Sequence, residues 1–222
     1  QVGERLQRRW PLGVRLIPAT DTEVDTYVRV DPAHPDAEGR DELHFQEWWT
    51  RYRASIPALG FTQRDLGLAR PAPGVEAAIA DADVVLLAPS NPVVSIGTIL
   101  AIPGMRDALA ATSAPVVGVS PIIGGRVVRG MADVCLSAIG VSTDAAAVAL
   151  HYGARGRADA DPAATGLLDG WLVDEADAAA VPALAAAGIE AASVPLWMHD
   201  LDRAAALADE ALDLALRLRT RD

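Results

Sequence analysis

Hydrophobic and polar positions fall into two regimes along the chain. In the first, apolar and polar residues alternate or recur at helical spacing. "DTYVRVD" (25–31) puts Tyr27 and Arg29 on one face and Val28 and Val30 on the other, which predicts a half-buried strand. "GVRLIPAT" (13–20) reads as a short strand before it, joined through an acidic turn. A polar loop rich in Pro, Gly and Asp follows (31–42). In "ELHFQEWWTRYR" (42–53), Leu43, Phe45, Trp48, Trp49 and Tyr52 lie mostly three or four residues apart, which predicts a helix. A further strand is expected within 61–70, then a Pro-initiated helix in "PAPGVEAAIADA".

The second regime is one of continuous apolar runs. "DVVLLAP" (83–89) and "PVVGVS" (115–120) carry no alternation, as expected of strands buried on both faces. Helical segments at 103–112, 131–140 and 142–153 follow them, the last with Ser142 or Thr143 as its expected N-cap. "ARGRADADPAATG" (154–166) is polar and unpatterned, and reads as a mobile surface loop. Strand 167–175, helix 177–188, strand 189–196 and a long helix at 201–219 close the chain. Strands alternating with helices predict an α/β fold: a Rossmann-like, mostly parallel sheet with helices on both faces.

Two connections break the rhythm. A strand-to-helix link needs only about two to six residues, yet after 83–89 the chain runs through "SNPVVSIGTILAI" before helix signals resume at Pro103. After 115–120 it runs through "PIIGGRVVRG" (121–130). Both would leave the carboxyl ends of consecutive parallel strands, the edge where such sheets bind ligands. The first offers Ser90, Asn91 and Ser95; the second offers Ser120, Gly124, Gly125, Arg126 and Arg129. Hydroxyls, an amide, close backbone approach and guanidinium forks suit a nucleotide diphosphate. Pro92, Pro103 and Pro121 would stiffen the loops. The same residue types also make ordinary turns.

Composition narrows the choice of partner. The 222 residues carry a net charge of −11 and no Lys, which argues against broad nucleic-acid binding but leaves room for a small anion in an Arg-lined pocket. No apolar stretch approaches a membrane span, and the beginning of the chain lacks a secretory signal pattern. The single cysteine, Cys135, lies in an apolar stretch and reads as a buried, inert thiol of a cytoplasmic protein. His34, His44, His151 and His199 show no metal-ligand spacing, so no metal site is expected within these residues.

"ADVVLLAPSNPVVSIGTILAIPGMRDAL", "APVVGVSPIIGGRVVRGMAD", "HFQEWWTRYR" and "PAPGVEAAIADAD" together resemble the 2-phospho-L-lactate transferase family of coenzyme F-420 biosynthesis, in particular its bacterial phosphoenolpyruvate transferases. The resemblance covers essentially the whole chain. It implies transfer of a phospho-enolpyruvyl or phospho-lactyl group from a guanosine-diphospho-linked donor to the deazaflavin Fo. GMP is released, Mg2+ is the cofactor, and the enzyme is a cytoplasmic homodimer. It further implies that 1–70 hold the remainder of the core and a small inserted α+β subdomain, and that 71–222 form a Rossmann-like nucleotide-binding region. By position, Pro89, Ser90, Asn91, Pro92, Ser95, Ile96 and Gly97 would line the guanosine site. Ser120, Gly124, Gly125, Arg126 and Arg129 would form the wall near the phosphates. His44, Gln46 and Trp49 would border the Fo pocket.

Against the family pattern, Thr98 and Met131 stand where Pro is frequent, and Arg126 where Lys is frequent. The family's initial strand, its "GGxGGA"-type turn and its aspartate-rich "GDD" segment have no counterpart. The catalytic residues and metal ligands are therefore expected in an upstream segment, and this chain by itself is expected to be inactive. The alternative is a non-catalytic nucleotide-sugar-binding regulator of the gluconeogenesis-factor type.

Overall fold

The computed structural model describes residues 13–156 and 166–220, together with Arg5, Arg8 and Arg9. Strand β1 (Thr26–Arg29) is the centre of a small antiparallel sheet, flanked by β2 (Glu42–His44) and, after helix α1 (Phe45–Thr50), by β3 (Gly60–Gln63). Val28 sits opposite Leu43 and Phe61. It shares a small core with Val30, Leu43, Trp48 and Ile56, whose side chains are all essentially inaccessible. Trp48 can be buried there because its indole N–H donates to the Ile56 carbonyl at 2.8 Å. On the opposite face the Arg64 guanidinium lies 3.6 Å from the centre of the Tyr27 ring.

Two expectations fail in this region. Residues 42–44 are a strand and not helix, because β1 supplies a pairing partner that periodicity cannot reveal. The helix then starts at Phe45, where His44 Nδ1 accepts from the Gln46 N–H at 3.2 Å, and it is over before Arg53 and Ala54 turn left-handed. Residues 13–20 form no strand. Only Thr20 makes an isolated bridge, to Pro71, and Val14 and Leu16 are exposed.

The second layer system begins with α2 (Val75–Ala80), β4 (Val85–Leu87), α3 (Ile96–Leu100) and α4 (Met105–Ala111). It continues with β5 (Val116–Val119), the short strands β6 (Ile122–Ile123) and β7 (Arg126–Val127), α5 (Ala132–Ala138) and α6 (Ala145–Tyr152). β8 (Gly170–Val173), α7 (Val181–Ala186), β9 (Glu190–Ser193) and α8 (Leu201–Arg219) complete it. Strands β4, β5, β8 and β9 pair in that order, all parallel. Every residue of β5 and β8 is buried, as the run at 115–120 implies for β5. The run at 83–89 does not meet the same expectation: β4 ends the strand order, none of its residues is buried and Leu86 is 41% exposed.

Helices cover both faces of this sheet. Val117, Val119 and Leu172 meet Leu207, Ala211, Leu214 and Ala215 of α8, a stripe at i, i+4 and i+7. On the other face Val116, Trp171 and Val173 meet Leu109, Val148, Ala149 and Leu184 from α4, α6 and α7. Trp171 fits only because β5 carries Gly118 opposite it. A Cβ at that position would collide with the Cζ3 and Cε3 edge of the indole ring. At the other end of the sheet, Asp169 accepts from the Val116 N–H at 2.7 Å and from Arg155 Nε at 3.0 Å. Arg155 also donates to the carbonyls of Thr112 and Ala114, tying the β5 entrance to the β8 entrance.

Smaller differences have local causes. The α6 N-cap is Asp144, not Ser142 or Thr143, because its carboxylate reaches the N–H groups of both Ala146 and Ala147 at 2.9 Å. The expected helix at 177–188 is divided into a 3-10 segment, Glu175–Ala180, and α7. Of the surface loop expected at 154–166, residues 157–165 lie outside the described residues. Among the described residues no helix is long and apolar enough to cross a membrane.

Candidate functional site

Because β4, β5, β8 and β9 run in parallel, their carboxyl ends share one rim, and three chain segments leaving that rim enclose a cavity of about 560 Å3. The segment after β4 contributes Pro89, Ser90, Asn91 and Ser95. The segment after β5 contributes, among others, Ser120, Arg129 and Met131. The two connections singled out in the sequence therefore meet at one cavity.

The first connection is more ordered than its composition suggests. Asn91 Oδ1 accepts from the N–H groups of Val93 at 2.9 Å and Val94 at 3.2 Å, closing a tight turn. The Asn91 carbonyl accepts from Ser95 and Ile96, and α3 begins at once. The long open loop expected up to Pro103 thus contains a helix. Gly97 is required by packing, since a Cβ there would lie 2.6 Å from the Pro92 carbonyl oxygen. Pro92 is buried and Ile96 packs into the main core, so Pro92, Ile96 and Gly97 support the loop from behind and do not line the cavity. The Thr98 hydroxyl is buried and has no hydrogen-bond partner among the described residues.

The second connection is a hairpin. Ser120 is 2% exposed and its hydroxyl is spent locally, donating to the Ile122 carbonyl at 2.8 Å and accepting from the Ile122 N–H at 3.1 Å. Ile122 pairs with Val127 and Ile123 with Arg126 across Gly124 (φ 57°) and Gly125 (φ 70°). Two successive positive φ values are what a two-residue hairpin turn demands. Both glycines lie away from the cavity lining, and the Gly124 N–H already donates to Asp177 Oδ2 at 2.8 Å. The Gly pair is accounted for by the turn. Arg126 is exposed on β7, whereas Arg129 lies on the cavity wall.

Electrostatically the cavity differs from the rest of the surface. A chain of net charge −11 places Arg129 and no carboxylate among the described lining residues. Nearby, burial pushes the Cys135 thiol up to about 11, so it stays protonated at neutral pH and is a poor nucleophile.

His44, Gln46 and Trp49 are not at the cavity. His44 caps α1 and stands 3.7 Å from Asp25, Gln46 is exposed, and Trp49 packs on the small core. What joins the small sheet to the site is Met131, which packs on that core and also lines the cavity. Sequence reasoning missed the third wall, Leu196, Trp197, Met198 and His199. The signal was available: 189–196 is a parallel strand, so its exit must open on the same rim.

Comparison with known proteins agrees with this architecture. A protein of the UPF0052 family from Bacillus halodurans superposes with a TM-score of 0.57 over 94% of this chain and 65% of that one, at 15% identity, a likeness of fold alone. The phosphoenolpyruvate transferase of Thermobifida fusca is 56% identical over 220 residues, 99% of this chain and 62% of its own length. That of Streptomyces coelicolor is 54% identical over 218 residues, 98% of this chain and 64% of its own length. The chain thus spans less than two thirds of these relatives. The family model described as 2-phospho-L-lactate transferase CofD matches residues 1–211, and the chain belongs to that family.

Proposed function

We propose that this protein acts in coenzyme F-420 biosynthesis as a phosphoenolpyruvate transferase, and that its cavity holds the guanosine-diphospho-linked donor. The observation that carries the reading is the convergence of the β4 and β5 exits on one cavity with Arg129 on its wall. The names of the two relatives favour an enolpyruvyl over a lactyl donor.

In this reading the terminal ribityl hydroxyl of Fo attacks the phosphorus bearing the three-carbon acid. A new O–P bond forms, the bridging P–O bond breaks, the hydroxyl proton is lost, and GMP departs. Such a transfer needs positioning and charge neutralisation more than covalent work by the protein. Arg129 supplies charge neutralisation, and the Asn91 turn holds Ser90 and Ser95 where a nucleotide can reach them.

Mg2+ is the cofactor in this reading. The described residues contain no group of three or more His, Cys, Asp or Glu side chains able to hold an ion, and Mg2+ is commonly held by one or two carboxylates together with substrate phosphates and water. A cytoplasmic homodimer belongs to the same reading.

Calorimetric titration with GDP tests it. Arg129→Ala should weaken binding about tenfold or more, as expected for a charge-assisted hydrogen bond of ~1.5–3 kcal/mol, and less so at high salt. Arg126→Ala, outside the cavity, should leave affinity near the wild-type value. Equal effects of the two substitutions would reject the placement of the phosphates.

A further inference from the structure

We propose that Trp197 is a stacking platform for the fused, planar heteroaromatic ring of a substrate, an assignment that rests on the cavity being the nucleotide site. Two fixed points hold this wall. Leu196 is buried against the α8 face of the sheet, and its N–H donates to Asp174 Oδ2 at 3.0 Å. Four residues later Asp200 caps α8 by accepting from the Arg203 N–H at 2.8 Å.

Between those anchors the chain places Trp197 and Met198, which remain 47% and 52% exposed. Large apolar side chains held outside the core on a cavity wall mark a surface for a ligand. The His199 ring lies parallel to the indole, with centroids 6.4 Å apart and planes 15° apart. The two rings are offset side by side, and the half-exposed indole keeps surface for a ligand ring. The second connection adds Ile123, Val128 and Met131 to the same cavity, whereas Ser90, Asn91 and Arg129 give it polar character elsewhere. A slot with apolar walls and one cationic group suits a flat ring joined to a phosphate.

Two substrates of the proposed reaction carry such a ring, the guanine nucleotide and the deazaflavin, and the experiment separates them. GMP, Fo and ring-free inorganic pyrophosphate are titrated into the wild-type protein and into Trp197→Ala, Trp197→Phe and Arg129→Ala, with thermal unfolding as the control for folding. Stacking on an aromatic side chain predicts a loss of roughly 5- to 150-fold for the Ala variant. Phe should restore most of it, and pyrophosphate affinity should not change. Loss confined to GMP assigns the platform to the nucleobase, and loss confined to Fo assigns it to the acceptor. Intrinsic tryptophan emission quenched by that ligand in the wild type should be quenched less at saturation in Trp197→Phe, where the other four tryptophans remain. If Trp197→Ala binds both ring ligands as wild type while Arg129→Ala weakens pyrophosphate, stacking is rejected and the phosphate site stands. If the wild-type protein binds neither GMP nor Fo, stacking and the nucleotide reading fall together.

Discussion

Replacing Asn91 separates two roles that the sequence cannot distinguish. The carboxamide oxygen holds the N–H groups of Val93 and Val94, so Asn91→Ala removes two hydrogen bonds from the turn that faces the cavity. At about 0.5–1.5 kcal/mol net for each, the loss is roughly 1–3 kcal/mol of stability. Donor binding should weaken with it, because Ser95 and α3 are positioned by the same turn. Asn91→Asp keeps an acceptor for both N–H groups but adds a negative charge to a cavity wall that otherwise carries none among the described residues. For a phosphate taken at about 8 Å from this turn and an effective dielectric constant of about 20, the repulsion would be ~2 kcal/mol, or roughly thirtyfold in affinity. Chemical denaturation measures the first quantity and GDP titration the second. The expected pattern is loss of both in Ala, but loss of affinity with stability largely kept in Asp. An Asp variant that binds GDP as tightly as wild type would refute the placement of phosphate beside this turn.

Two further outcomes test the fold around the site. Gly118→Ala sets a methyl group against the edge of the Trp171 ring between β5 and β8, and overpacking of that kind costs about 1–3 kcal/mol, read as a lower denaturation midpoint. The buried Cys135 thiol, held up to about 11, makes the folded state bind a proton that the unfolded chain releases near the ordinary thiol value. Its contribution to stability is therefore complete below that value and is lost as pH rises towards about 11. Cys135→Ala should flatten the fall in stability over that alkaline window; an unchanged slope would refute the burial argument.

Much of the fold was legible where burial writes itself into residue type. The continuous run at 115–120, the Tyr27/Val28 alternation and the apolar stripe from Leu207 to Leu218 each become the element their pattern implies, whereas the run at 83–89 becomes a strand that is not buried on both faces, because β4 ends the strand order of the sheet. The meeting of the two connections followed from parallel strands sharing a rim. What was not legible depends on partners distant in sequence. Glu42–His44 is a strand because β1 lies beside it, and residues 13–20 are not one because no ladder forms there. The Gly124–Gly125 pair was read as a phosphate turn, although a two-residue Gly-Gly link between "II" and "RV" is also a hairpin signal. Gly124 in fact meets a carboxylate from Asp177, a contact across 53 residues that no local pattern encodes. Asn91 and Ser120 were chosen as ligand contacts, yet both side chains make turn-closing bonds that shape the cavity wall.

A crystal structure of the protein with bound GDP would decide whether the exits of β4 and β5 grip one guanine nucleotide between them. The expected result is nucleotide density against Ser90, Asn91 and Ser95 on one side and Arg129 on the other. A nucleotide seated elsewhere on the molecule, with that cavity empty, would contradict it.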